Sequence, residues 1–274
     1  MRGWIGAMLL GMAVVCGSPA CARQGNLIMA YGDFNEPPYA WINDGDLAGG
    51  FLHELGLALA EILDRDPQFR HLPRNRLGPE LVSGNIDLYC LASSGQEPGF
   101  AGSAFSTPLF IEQDIIVFSR HFNGPPTLAG LVGMRVGSVL GAVYPPMLES
   151  LFNNSSLIRE DARSDTANLR KLAGGRLDAV VLSATAWRQA TRANPALAET
   201  AQPETLGLPP ISRACLVSPA GSIPVAAVNS ALQTLRNDGA LAAMVQRLGP
   251  DATAAQADQA AEGPGINPAN RQYR

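Results

Sequence analysis

The sequence predicts an α/β fold built as two similar lobes, and three observations carry that reading. Short apolar runs of strand length alternate with amphipathic helical stretches along most of the chain. The stretch LVSGNIDLYCL, Leu81 to Leu91, reappears in its order of features as LAGGRLDAVVL, Leu172 to Leu182: helix end, glycine, aspartate, apolar strand. One such unit in each half argues for two β/α lobes rather than one continuous sheet. The length agrees, because 252 of the 274 residues remain once a leader is removed, enough for two packed domains.

That leader is MRGWIGAMLLGMAVVCGSPACA, with a basic start at Arg2, an apolar stretch from Trp4 to Val15, and small residues at Ala20 and Ala22. Residues 1–22 therefore read as a secretory signal peptide cut after Ala22. The apolar stretch is too short for a membrane span. A lipid anchor on Cys16 or Cys21 is the rival reading, although neither cysteine follows a Leu-Ala-Gly type run.

The elements follow in order. Leu27 to Ala30 reads as a short strand, and YGDFNEPPYAW, Tyr31 to Trp41, as a turn whose two prolines stand among a carboxylate and large aromatics. A helix is predicted in LAGGFLHELGLALAEILDRD, where Phe51, Leu55, Leu59, Ile62 and Leu63 recur at helical spacing behind Gly49 and Gly50. A short helix ending at Gly84 and a strand from Ile86 to Leu91 come next, then a Gly-rich loop, FSTPLF, and the strand Asp114 to Ser119. The second half restarts with GMRVGSVLG as strand and turn, YPPMLESLF as helix, and TANLRKLAGGRLDAVVLS as helix and strand. SRACLVSP, Ser212 to Pro219, returns as a strand, and VNSALQTLRNDGALAAMVQRLG is an amphipathic helical region interrupted near Asn237 to Gly239. From residue 250 to 274 almost nothing large and apolar remains, so a disordered tail is expected.

Composition excludes several functions. Without Arg2 the formal charge becomes -5, spread without blocks, which argues against a nucleic-acid partner. Cys90 and Cys215 form neither a disulfide scaffold nor a metal cluster; they either pair or lie as buried free thiols in apolar strands. His53, His71 and His121 have no ligand-set spacing, and no cofactor or metal is expected. GxSxG, HExxH, GxxxxGK[ST] and a helix-opening GxGxxG are all missing. Asp33, Glu36, Asp44 and Asp46 could supply an acid–base pair for glycoside cleavage, but acidic loop residues are ordinary, and no enzyme is expected.

EPPYAWINDGDLAGGFLHELGLALAEIL, LVSGNIDLYCLAS, FSTPLF, LAGLVGMRVGSVLG, LRKLAGGRLDAVVLS and ALQTLRNDGALAAMVQRLG, in this order, give the chain its resemblance. From Leu27 to about Gly249 it resembles the periplasmic solute-binding proteins of family 3, which usually capture amino acids for importers or sensors. The resemblance implies a two-lobed periplasmic-binding-protein fold, each lobe an open β-sheet flanked by helices, joined by two hinge strands near Val117 to Arg120 and Ser212 to Val217. Lobe one would comprise residues 23–117 and 217–249, and lobe two residues 118–216. Ligand would bind between the lobes, at strand ends and helix starts.

Carried over residue by residue, the resemblance gives Glu36 the place where amino-acid binders often put a stacking aromatic, which would favour a cationic or hydrogen-bond-donating ligand. Tyr39 supports lobe one or touches ligand, and Trp41 is a surplus aromatic that could cover an apolar or ring-bearing solute. Ser94 aligns with a ligand-donating serine, and Gln96 replaces a family threonine. Gly137, Ser138 and Gly141 could expose backbone amides, although Ala142 and Val143 replace the expected hydroxyl. Two departures weigh most: the arginine that holds an α-carboxylate aligns with Gly99, and the acid that holds an α-ammonium aligns with Ser183. No Arg or Lys stands between Leu77 and Ile116 to substitute for the first.

The expected function is therefore periplasmic binding of a small polar solute, other than a standard zwitterionic amino acid, for an ABC importer or a membrane sensor. A monomer with a permease or sensor partner is expected. The alternative is a binding fold that has lost its pocket and serves as a structural or regulatory interaction partner.

Overall fold

The computed structural model describes residues 25–93, 100 and 102–255. The predicted signal peptide, Ser94, Gln96 and Gly99 lie outside them.

The first lobe opens with strand β1 (Asn26–Tyr31), a hairpin of β2 (Trp41–Asn43) and β3 (Asp46–Gly49), helix α1 (Phe51–Ile62), β4 (Asp66–His71), α2 (Arg74–Val82), and β5 (Leu88–Ser93). A two-residue strand β6 (Ala104–Phe105) precedes the long β7 (Phe110–Ser119), which carries the chain into the second lobe. There follow β8 (Arg135–Val139), α3 (Pro146–Asn153), β9 (Ile158–Ala162), α4 (Asp165–Ala173), β10 (Ala179–Ser183) and α5 (Ala184–Ala193). The chain returns on β11 (Ala201–Val217) and finishes with α6 (Val225–Asn237), α7 (Ala240–Leu248) and β12 (Ala252–Ala254).

The predicted helix from Phe51 forms because its apolar spacing buries Phe51, Leu52, Leu55, Leu59 and Ala60 on one face. Its start is fixed by the proline turn. Phe51 N–H donates to the Pro38 carbonyl at 3.2 Å and Leu52 N–H to that of Tyr39 at 2.9 Å, so the turn satisfies amides that a helix N-terminus leaves open. Gly50 permits this approach: it has φ 93°, and a Cβ there would stand 2.7 Å from the Tyr39 carbonyl oxygen.

The repeated Gly-Asp unit has a common physical role in the two lobes. Asp87 accepts the N–H of Ile28 at 2.8 Å, and Asp178 accepts the N–H of Arg135 at 2.8 Å. In each case the carboxylate ties the start of its strand to the neighbouring parallel strand, β1 in one lobe and β8 in the other.

The two lobe sheets are not separate. Strands pair in the order β4-β1-β5-β11-β7-β10-β8-β9, because β7 and β11 form one long antiparallel pair that continues both sheets. This pair joins the two lobes. It also moves the crossover from the expected hinge positions: Asp114 to Phe118 already pair with β10, whereas Arg213 to Val217 pair with β5.

The other corrections concern ends and edges. Within residues 250–255, expected in the tail, Ala252–Ala254 instead form β12, which pairs with Phe110 to Glu112. Ala252 and Ala255 are buried there, and Asp251 bonds the Arg188 guanidinium at 2.7 Å. Small size lets these alanines fit where a larger apolar residue was looked for. Cys90 and Cys215 are joined as a disulfide across β5 and β11, settling the alternative left open by sequence.

Candidate functional site

The cleft is walled by the proline turn, β5, β7 and β11 on one side and by the starts of α4 and α5 and the β8–α3 connection on the other. Its cavity volume is about 110 Å³, small beside the roughly 300–1,000 Å³ usual for sites of drug-sized ligands.

At its floor lies a network of buried charge. Strand β7 alternates, so Glu112 and Asp114 share one face, and β11 brings Arg213 opposite them. Arg213 donates from Nε to Glu112 at 2.6 Å, from Nη2 to Asp114 at 3.1 Å, and from Nη1 to the Ser93 hydroxyl at 2.6 Å. Burial works against the guanidinium charge, but the carboxylates of Glu112 and then Asp114 outweigh it and raise its pKa. Burial pushes the Asp114 carboxyl upward, against the pull of Arg213. Removing one partner from such a buried set typically costs about 3–5 kcal/mol, because a charge is left uncompensated.

Tyr39 joins this network to the opposite lobe. Its hydroxyl donates to Glu112 and lies 2.9 Å from the Ser183 hydroxyl. With its one proton given to Glu112, the phenol accepts from Ser183, whose oxygen in turn accepts the Ala186 N–H at 3.0 Å. Burial, reinforced by the Glu112 charge, drives the Tyr39 pKa well above its ordinary value.

Two further bridges span the cleft. Glu36 accepts the Thr166 N–H at 2.7 Å, at the start of α4. Arg74, with its guanidinium 5.3 Å from the Phe34 ring centre, donates to the Tyr89 hydroxyl at 3.0 Å and to the Gly141 carbonyl at 3.0 Å.

Asp165 stands apart. It lines the cavity beside Glu36 and Asp114, and its carboxylate has no hydrogen-bond or ion-pair partner among the described residues. It keeps some exposure toward the cavity but is surrounded by protein. Burial first, then the charges of Glu36 and Asp114, raise its pKa well above the carboxylate range.

Of the residues named from sequence, Tyr39 and Ser183 line the cavity. Glu36 and Trp41 line an adjoining outer chamber, where Trp41 is 49% exposed. Gly137 and Ser138 are corrected: they lie inside β8, away from the cavity. A Cβ at Gly137 would meet Leu177 at 2.6 Å, and the buried Ser138 hydroxyl donates to Asp161 at 2.6 Å. Gly141, with φ 75°, serves the turn and offers its carbonyl rather than its amide. No arginine lies between Leu77 and Ile116, and the two that reach the cleft, Arg74 and Arg213, come from outside that stretch.

Sequence reasoning missed Glu112, Asp114, Arg213 and Asp165. The first two carried a signal, charges two apart in a largely apolar strand. Asp165 carried none, because Ser-Asp before a helix reads as an ordinary cap; Ser164 does accept the Ala167 N–H at 3.3 Å.

The family model for bacterial extracellular solute-binding proteins, family 3, matches residues 28–250. The chain belongs to that family. Comparison with curated proteins finds no match. Among solved structures, a histidine kinase sensor domain with similarity to periplasmic binding proteins is similar at a TM-score of 0.71 and 21% identity, covering 85% of this chain and 99% of that one. An ancestral arginine-binding protein bound to arginine matches at 0.69 and 20%, covering 83% and 100%. A periplasmic binding protein of Salmonella typhimurium with high arginine specificity matches at 0.64 and 15%, covering 81% and 98%. At these identities the likeness establishes the two-lobed periplasmic-binding fold.

This family member is a periplasmic solute-binding protein. Among the described residues no His, Cys, Asp or Glu group could hold a metal ion, and no helix is long and apolar enough to cross a membrane.

Proposed function

We propose that this family 3 protein captures a small solute carrying a positively charged nitrogen, and that a zwitterionic amino acid is not its ligand. Asp165 carries the reading: a carboxylate enclosed in the cleft, without a partner among the described residues, is placed to meet a cation. Charge balance supports it, since among the described lining residues Glu112, Asp114 and Asp165 face Arg74 and Arg213. Both guanidinium groups are already engaged, Arg213 by two carboxylates and Arg74 by Tyr89 and Gly141. With glycine at position 99, the inner cavity has no further arginine among its described lining residues to hold an α-carboxylate. Arginine, the solute named for several solved relatives, shares the cationic group but adds that carboxylate.

A second reading, a binding fold closed on itself and acting through a partner protein, is favoured by the three direct bridges between the lobes and the small cavity. Calorimetry of ligand-stripped protein separates the two. Small amines and guanidines are expected to bind at micromolar affinity or better. The common amino acids should be about thirtyfold weaker or worse, because losing a charged partner in a desolvated site costs roughly 2–5 kcal/mol. An amino acid binding at low micromolar affinity would overturn the proposal, and silence from every amine and guanidine would leave the second reading standing.

A further inference from the structure

The cleft adjoins a second, larger chamber. It has a cavity volume of about 420 Å³ and is lined by Asp33, Glu36 and Trp41 from the first lobe and by Arg163 and Ser164 from the second. Asn35 borders both chambers, and the bond from Thr166 N–H to Glu36 lies immediately beside Asp165. Glu36 of the outer chamber and Asn35, common to both, thus stand where the two chambers adjoin, and Glu36 is held there by one hydrogen bond. Trp41 lies on the short hairpin strand β2 with about half its surface exposed, and its Cδ1 lies 3.7 Å from where a Cβ on Gly49 would stand. A large ring left open at the wall of a chamber that both lobes complete has an evident occupant, an apolar or aromatic part of the solute.

We infer that the two chambers are subsites for one ligand: its cationic head lies against Asp165 in the inner cavity, and an apolar or ring-bearing tail runs past Glu36 onto Trp41. This rests on the cationic reading above and adds the architecture of the ligand. Glu36 would leave the Thr166 N–H and turn to the same cation, exchanging a hydrogen bond to a neutral donor for a charge-assisted one. A head-only amine would occupy the inner cavity and leave the Glu36–Thr166 bond in place.

The test uses n-butylamine as the head-only probe and a series of ω-phenylalkylamines of increasing linker length, titrated calorimetrically into wild type, Trp41→Ala and Asp165→Asn protein. Wild type should bind the best phenylalkylamine roughly tenfold more tightly than butylamine, the contribution expected of an aromatic contact plus buried area. Trp41→Ala should erase that gain and leave butylamine affinity unchanged, with thermal unfolding confirming its fold. Asp165→Asn should weaken both probes. If the tail brings no gain, or if its gain survives in Trp41→Ala, the two-subsite inference falls while the cationic reading stands. If neither probe binds wild type, both fall.

Discussion

Replacing Asp165 by asparagine should make the ligand-free protein more stable while weakening its hold on a cationic solute. The carboxylate is enclosed beside Glu36 and Asp114 with no compensating partner among the described residues, and an uncompensated polar group of this kind costs roughly 1–3 kcal/mol, more when charged. Its place in the first turn of α4 returns roughly 0.3–1 kcal/mol through the helix dipole. Burial and like charge therefore win, and the amide should gain about 1–2 kcal/mol at neutral pH. In a domain of this size each kcal/mol moves the unfolding midpoint by about 2–4 °C, giving a rise of roughly 2–8 °C.

The pH dependence fixes the sign independently. The folded pKa of Asp165 lies above its unfolded value, so the folded state holds the extra proton. The group costs nothing below about pH 4, and stability is lost as pH rises through the folded pKa. Midpoints of wild type and Asp165→Asn, followed by circular dichroism from pH 4 to 8, should converge at the acid end and separate upward, with the variant higher. The stabilisation of wild type by butylamine should vanish in the variant. A variant less stable at pH 7, or a difference that ignores pH, would refute the assignment of Asp165 as an unpartnered carboxylate.

Two further outcomes follow from the fold. The Cys90–Cys215 bridge spans a separation of 125 residues, for which chain entropy gives up to about 5 kcal/mol. Reduction should accordingly lower stability to urea by roughly 2–5 kcal/mol, and a loss under about 1 kcal/mol would count against a constraint on the unfolded chain. A chain ended at residue 249 should melt several degrees below one ended at 255, because only the longer one keeps β12 and the Arg188–Asp251 pair; equal midpoints would show that β12 contributes nothing.

What the sequence made legible follows from where each residue's partner lies. Helix α1 and strands β5 and β10 could be read locally, because burial of a helical face or of a whole strand writes a periodicity into neighbouring positions. Edge strands could not. DPQFRH in β4 and IREDA in β9 are half polar, with solvent on their open sides, and leave no pattern that differs from a loop. The first part of β11 was missed because its prolines, Pro203, Pro209 and Pro210, argue against a strand, yet it is held by antiparallel pairing to β7 with shifts in register. Within the site, Tyr39 and Ser183 were found through resemblance, but the groups that define their chemistry were not. Glu112 and Arg213 are 101 residues apart, and nothing near either one announces the other.

The proline turn that looked surplus to a structural need connects all of this. Its carbonyls start α1, its Tyr39 carries the buried charge network to Ser183, and its Glu36 reaches α4 of the opposite lobe. The lobes are therefore tied by residues of the site itself, so closure and binding cannot vary independently. A hydrogen bond contributes about 0.5–1.5 kcal/mol net, and the bridges from Tyr39, Glu36 and Arg74 together supply a closing bias of a few kcal/mol before any solute arrives. A cation that fits beneath Glu36 keeps all three bridges and is met by a cleft already in its binding form, which raises its apparent affinity by the population of that form. A solute too large for the inner cavity must first break Glu36 from Thr166 and can recover the loss only where Glu36 and Trp41 give it new contacts. On the two-subsite proposal, selectivity in this cleft then depends on the Glu36–Thr166 bond as well as on the charges of the inner cavity.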